Sequence, residues 1–182
     1  PIAARSTPIS PRLYETDEAS VAPYLGPYDL TATSNDPGFT GGQQWDMAGD
    51  ASTPANQYGS QAAEAWAVGH TGNYTVTVAV QDTGIDYTHA DLYLNIWLNQ
   101  KEIPSAFRSA LIDTNGDSLI TFWDLNNPVN AAYVHDFNGN GRIDGGDLLA
   151  DSRWENGVDD DGDTLTDDLI GWDFINNDND PY

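Results

Sequence analysis

Asp113, Asp136 and Asp159 each open an acidic loop, and 23 residues separate the first from the second and the second from the third. Between Asp113 and Tyr182 stand 17 acidic residues and two basic ones, Arg142 and Arg153. Carboxylates packed this densely repel one another in any compact state. A fold containing this region therefore needs another source of positive charge, and bound cations are the simplest. The imbalance runs through the whole chain, with 29 acidic residues against 6 basic ones and a net charge of -23. Such a chain is a poor partner for nucleic acid or for an anionic membrane. It contains no cysteine, so disulfides and thiolate metal sites are excluded. No apolar run reaches the roughly 20 residues of a membrane span.

The repeat carries a metal-ligand pattern. In the second loop, Asp136 to Asp147, oxygen side chains occupy positions 1, 3, 5, 9 and 12: Asp136, Asn138, Asn140, Asp144 and Asp147. Gly141 stands at position 6, where a sharp turn is required, and Ile143 at position 8. Position 7, Arg142, would contribute its backbone carbonyl. This pattern resembles an EF-hand calcium loop with aspartate in place of the final glutamate. Leu148-Leu149 resembles the dockerin variant, in which a helix comes next. The first loop supplies Asp113, Asn115, Asp117, the Leu119 carbonyl and Asp124, with Thr121 at position 9 and Ser118 where glycine is preferred. The third supplies Asp159, Asp161, Asp163, the Leu165 carbonyl and Asp167. Its position 12 is Ile170, so a last ligand must come from Asp168 or from elsewhere; the run resembles thrombospondin type 3 loops more than an EF-hand. A hard cation taking six to eight oxygens suits such loops, and magnesium, with its small octahedral shell, suits them less. The expectation is three to four calcium ions, with folding linked to their binding.

The chain divides into three stretches. Residues 1–34 carry five prolines and read as an extended arm, either a strap that docks or a mobile leader. Residues 35–112 read as α/β. Within them, Ser60 to Gly69 has helix formers between an N-cap serine and a closing glycine. Thr75 to Gln81 reads as a buried parallel strand ending at Asp82. Ile103 to Ile112 reads as a second short helix. Residues 113–182 form the acidic region.

VAVQDTGIDYTHADL, Val78 to Leu92, resembles the segment around the catalytic aspartate of subtilisin-like serine peptidases (the subtilases, thermitase-like members in particular). The NDP before a Gln-aromatic pair, the helix containing Trp66 and the strand into Asp82 occur in that family's order. The resemblance implies a partial subtilisin-like three-layer α/β fold with a loop-rich, calcium-bound C-terminal half, and it implies that Asp82 is the catalytic aspartate. It extends to GWDFINNDNDPY, where a fourth calcium loop would use Asp173, Asn176, Asp178 and Asp180. Asp36 is a further ligand by resemblance, or simply a turn cap. Gln81 and Ala90 depart from the family pattern, which has an apolar residue and a proline there.

A serine peptidase also needs a histidine base and a serine nucleophile. The family's His-Gly-Thr-His and Gly-Thr-Ser-x-Ala motifs do not occur in this sequence. His70, His89 and His135 read as capping or surface residues. The chain by itself should hydrolyse nothing by the serine mechanism. Three functions remain open. One is the N-terminal portion of a secreted, calcium-stabilised peptidase completed by further sequence or a second chain. Another is a non-catalytic, calcium-stabilised assembly protein, a homo-oligomer or filament. The third is a passive acidic calcium-binding or adhesion module in which the Asp82 segment is incidental. The expected place is outside the cell or on its surface, and a start at Pro1 reads as already processed. Asn73-Tyr74-Thr75 is a glycosylation sequon.

Overall fold

The computed structural model describes residues 34–72, 74 and 76–182. The N-terminal arm therefore lies outside the described residues except for Ser34, as does the sequon's Asn73. Two compact units divide between Asn73 and Tyr74. Helices are short: α1 (Pro37–Thr40), α2 (Ala62–Ala67), α3 (Phe122–Leu125) and α4 (Gly145–Ala150), with single 3-10 turns at Trp45–Met47, Tyr93–Asn95, Arg108–Ala110 and Pro128–Asn130. No strand forms among the described residues, and one isolated antiparallel bridge joins Asp173 to Asp178.

The α/β three-layer expectation is thus overturned. Val76, Val78 and Val80, expected in a buried strand, are 69%, 74% and 55% exposed. A buried parallel strand needs partners on both edges and cover on both faces. No strand forms among the described residues to pair with it. Much of the backbone beyond Asp113 gives its N–H groups to side-chain carboxylates instead. The helix expected over Ile103 to Ile112 is reduced to the turn Arg108–Ala110. Pro104 and buried Ile103 start the segment, and Arg108 folds back to bond the carbonyls of Ile103 and Lys101.

The N-terminal unit packs around Phe39, Ala48 and Ala63, with Met47 and Trp66 against them. Asp36 caps α1, accepting from the N–H groups of Gly38 at 2.6 Å and Phe39 at 3.2 Å. That is the turn-cap role. Helix α2 arises from a run of alanine and glutamate, which have high helix propensity. It stops at Gly69 (φ +86°), where Gly69 N–H reaches the Trp66 carbonyl and His70 N–H the Ala65 carbonyl. This pairing of the last carbonyls requires a left-handed residue, which glycine supplies without strain.

The C-terminal unit has one core: Leu94, Leu98, Ile103, Leu111, Phe122, Leu125, Val134, Leu148, Trp154 and Leu169. Trp154 is fully buried, stacks edge-on to Phe107 at 5.0 Å and donates from Nε1 to the Tyr133 carbonyl at 2.8 Å. Side-chain amides take the place of strand partners. Gln100 brackets Ile120, Asn126 brackets Ile143 and Asn130 brackets Ile112, each accepting that residue's N–H and donating to its carbonyl. Every bracketed isoleucine flanks or lies within an acidic loop, so the loops are fastened to the core at these points.

Candidate metal-binding loops

The three loops share one hydrogen-bonding scheme. In each, the first aspartate turns one oxygen to the N–H of position 4 and the other to the N–H of position 6. For Asp113 the partners are Gly116 (2.7 Å) and Ser118 (2.8 Å). For Asp136 they are Gly139 (2.7 Å) and Gly141 (2.8 Å). For Asp159 they are Gly162 (2.6 Å) and Thr164 (2.9 Å). The oxygen at position 3 accepts from the N–H of position 5, and that at position 5 from position 7: Asn115 and Asp117, Asn138 and Asn140, Asp161 and Asp163. Alternate side chains of a tight loop thus turn inward, as a cation surrounded by oxygens requires. Position 6 is left-handed in all three: Ser118 at φ 68°, Gly141 at 86° and Thr164 at 83°. Serine and threonine there sit in a region costly to residues other than glycine.

Positions 9 and 12 join each of the first two loops to a helix. Thr121 and Asp124 form a capping box at the start of α3, and Asp144 and Asp147 form one at the start of α4. The helix expected after the second loop is therefore α4. Asp124 also accepts from Thr114 N–H at 2.8 Å, and Asp147 from Phe137 N–H at 2.7 Å, so each position-12 carboxylate clasps both ends of its own loop. Both are buried. Arg142 stands beside fully buried Asp144, with Nε 3.7 Å from its carboxylate. Its guanidinium lies 4.8 Å over the Tyr93 ring and donates to the Thr88 carbonyl.

In the third loop the carboxylates converge most closely. Oxygens of Glu102, Asp159 and Asp161 lie within 4.8 Å of one another, as do those of Asp161, Asp163 and Asp168, so these groups can hold a metal ion. Glu102 was not legible as a participant from sequence. It is 1% exposed and accepts from the N–H groups of Asp160, Asp161 and Asp167. Asp167 faces backward, accepting from Asn156 and Gly157. Asn99 donates to both Asp161 (3.1 Å) and Asp168 (3.0 Å).

The electrostatics reflect this geometry. The Gly141 N–H above all holds the Asp136 carboxyl below the usual range, and the Thr164 N–H does the same for Asp159. At Asp113 burial opposes ionisation, but the N–H groups of Ser118, Gly116 and Asn115 together outweigh it and lower the value. Burial raises Glu102 and Asp147 despite their N–H partners. Asp168 is pushed up to about 6, by burial first and then by the nearby charges of Asp163, Asp161 and Asp159. A divalent ion would reverse that last effect.

The C-terminal candidates are only partly assembled. Asp173 accepts from Ile175 and Asn176 N–H, and the Asn176 amide donates to it at 2.7 Å. Asp178 accepts from Asp180 N–H, whereas Asp180 itself receives the Tyr87 hydroxyl at 2.9 Å. Asp82 does not end a strand; it is exposed and accepts from its neighbour Thr83 at the backbone N–H (2.7 Å) and hydroxyl. His89 pairs with Asp91, accepting its N–H at Nδ1.

No family model, no curated protein and no solved structure matches this chain.

Proposed function

We propose that this chain is a calcium-stabilised extracellular module, in which acidic loops hold hard divalent cations that neutralise and fasten the C-terminal unit. The observation that carries this reading is the shared scheme of the three loops, one hydrogen-bonding pattern written three times at a fixed spacing. The donors are the side-chain oxygens of positions 1, 3 and 5 and the carbonyls of Leu119, Arg142 and Leu165. Oxygen-only donors on alternate residues of a tight loop fit calcium better than magnesium or a thiophilic metal. Calcium sites of extracellular modules are weak, at about 10⁻⁴–10⁻³ M, and are filled where calcium is abundant. The function this supports is structural.

The test is unfolding with and without calcium. A single site at 100 times its dissociation constant adds about 2.7 kcal/mol. For a chain of this size that is a rise in Tm of about 5–11 °C per site. Calorimetric titration should count three to four ions. The same Tm in chelator and in about 10–100 mM calcium, 100 times those dissociation constants, would end this reading.

The segment Val78 to Leu92 favours a second reading, with Asp82 as the orienting aspartate of a serine peptidase completed by sequence or a chain that supplies histidine and serine. Labelling of a full-length species by a fluorophosphonate tests it, and failure to label refutes it.

A further inference from the structure

The third loop has no ligand type of its own at position 12, because Ile170 stands there. We propose that Glu102 is the positioning residue that closes this loop, taking from 57 residues before Asp159 the place that Asp124 and Asp147 hold within the first two loops.

In each case one carboxylate oxygen accepts at the start of the loop and the other at position 9. Asp124 gives one oxygen to the N–H of position 2 (Thr114, 2.8 Å) and the other to the N–H of position 9 (Thr121, 2.9 Å). Asp147 gives one oxygen to positions 2 and 3 (Phe137, 2.7 Å; Asn138, 3.2 Å) and the other to position 9 (Asp144, 2.9 Å). Glu102 gives Oε2 to positions 2 and 3 (Asp160, 3.0 Å; Asp161, 3.1 Å) and Oε1 to position 9 (Asp167, 2.9 Å). All three carboxylates are at most 1% exposed. Three N–H groups on a loop of this charge would not gather around a buried anion by composition alone. The repeat of the same pairing at the same loop positions gives the arrangement its meaning.

The segment that carries Glu102 is built to deliver it. Leu98 and Ile103, on either side, are core residues. Asn99 N–H bonds the Leu169 carbonyl at 2.8 Å, and the Asn99 carbonyl receives Glu102 N–H, so a turn presents the side chain toward the loop. A glutamate supplies the extra methylene that reach across two segments needs.

The loops should therefore differ in how they organise, a consequence that rests on the calcium reading. The first two are closed by residues 11 positions from their first aspartate and can organise locally. The third cannot hold its shape, or a cation, until residues 98–103 have docked. Closing that longer connection costs more chain entropy before any contact is gained.

The experiment uses the whole chain and its Glu102→Gln variant, which keeps the shape but removes one acceptor oxygen. Amide exchange by NMR in chelator should show protection at Asp160, Asp161 and Asp167 falling by tenfold or more in the variant. Residues 113–124 and 136–147 should be unchanged. Calcium titration should show one ion fewer for the variant than for the wild type. Unchanged protection and an unchanged ion count overturn the proposal. If the variant does not fold, couplings across hydrogen bonds from those three amides to the Glu102 carboxyl carbon in the wild type decide it, and their absence overturns it. Should the wild type bind no calcium, the calcium reading falls, while the amide measurements still judge Glu102.

Discussion

Replacing Asp147 by asparagine isolates what a position-12 carboxylate contributes apart from any cation. The side chain is 1% exposed and accepts three backbone N–H groups: Phe137 (2.7 Å) and Asn138 (3.2 Å) on one oxygen, Asp144 (2.9 Å) on the other. Asparagine has the same shape but one acceptor. With its oxygen left toward Phe137, its NH₂ faces the N–H of Asp144, donor against donor. A buried donor left unsatisfied costs about 1–3 kcal/mol. The two surviving bonds lose their charge assistance, which removes about 1–2 kcal/mol more. Against this, a neutral side chain is spared the burial that raises the Asp147 carboxyl, a gain of opposite sign. The expected net loss is about 2 kcal/mol. With a urea slope of about 1–3 kcal/mol/M, the midpoint should fall by about 1 M in chelator. A change below about 0.5 kcal/mol would refute the view that these carboxylates organise the loops before any ion binds.

Asn130→Ala should cost about 3 kcal/mol by denaturant titration, since it strips the bracket from Ile112 and a third bond from the Asp124 carbonyl. Trp154→Phe should cost about 2–3 kcal/mol, from lost volume and an unpartnered Tyr133 carbonyl, with a matching fall in Tm. Asp113, Asp136, Asp159 and Asp173 have lowered values, so their contribution is present above the unfolded carboxylate value of about 3.9 and lost as pH falls through their folded values. Asp168 has the opposite sign: its contribution is present below that unfolded value and lost as pH rises through about 6. In chelator, stability should peak between about pH 4 and 5 and decline toward neutrality; thermal scans showing greater stability at pH 7 than at pH 5 would contradict it.

The acidic loops were legible because their spacing and their chemistry coincide: an aspartate first, oxygens at alternate positions and a tight turn between. The sequence also displayed α2, through its alanine run and Gly69, and the cap at Asp36. Thr75 to Gln81 misled for a physical reason. Alternating valines state what a segment could bury, and pairing partners decide whether it does; here Val76, Val78 and Val80 face solvent. Glu102 was illegible because nothing in QKEIPS sets it apart, and its role is defined by backbone N–H groups more than fifty residues away. The amide brackets of Gln100, Asn126 and Asn130 were hidden likewise, since a polar side chain in a loop-rich sequence reads as surface until the fold encloses it.

The carboxylate clasp on the loop backbone also bears on how the protein ages. Asn-Gly pairs are where asparagine deamidates most readily, through attack of the following peptide nitrogen on the side-chain amide. The chain has four of them: Asn115-Gly116, Asn138-Gly139, Asn140-Gly141 and Asn156-Gly157. In every one the glycine N–H donates to a loop carboxylate, at 2.7, 2.7, 2.8 and 2.8 Å. A peptide nitrogen beside a carboxylate resists the deprotonation that attack requires, because a second negative charge would form there, and its hydrogen bond fixes its orientation. The folded loops should therefore resist cyclisation to succinimide, and peptide mapping of stored protein should find these asparagines intact while denatured protein loses them. The contacts that shape the loops thus also set their chemical lifetime.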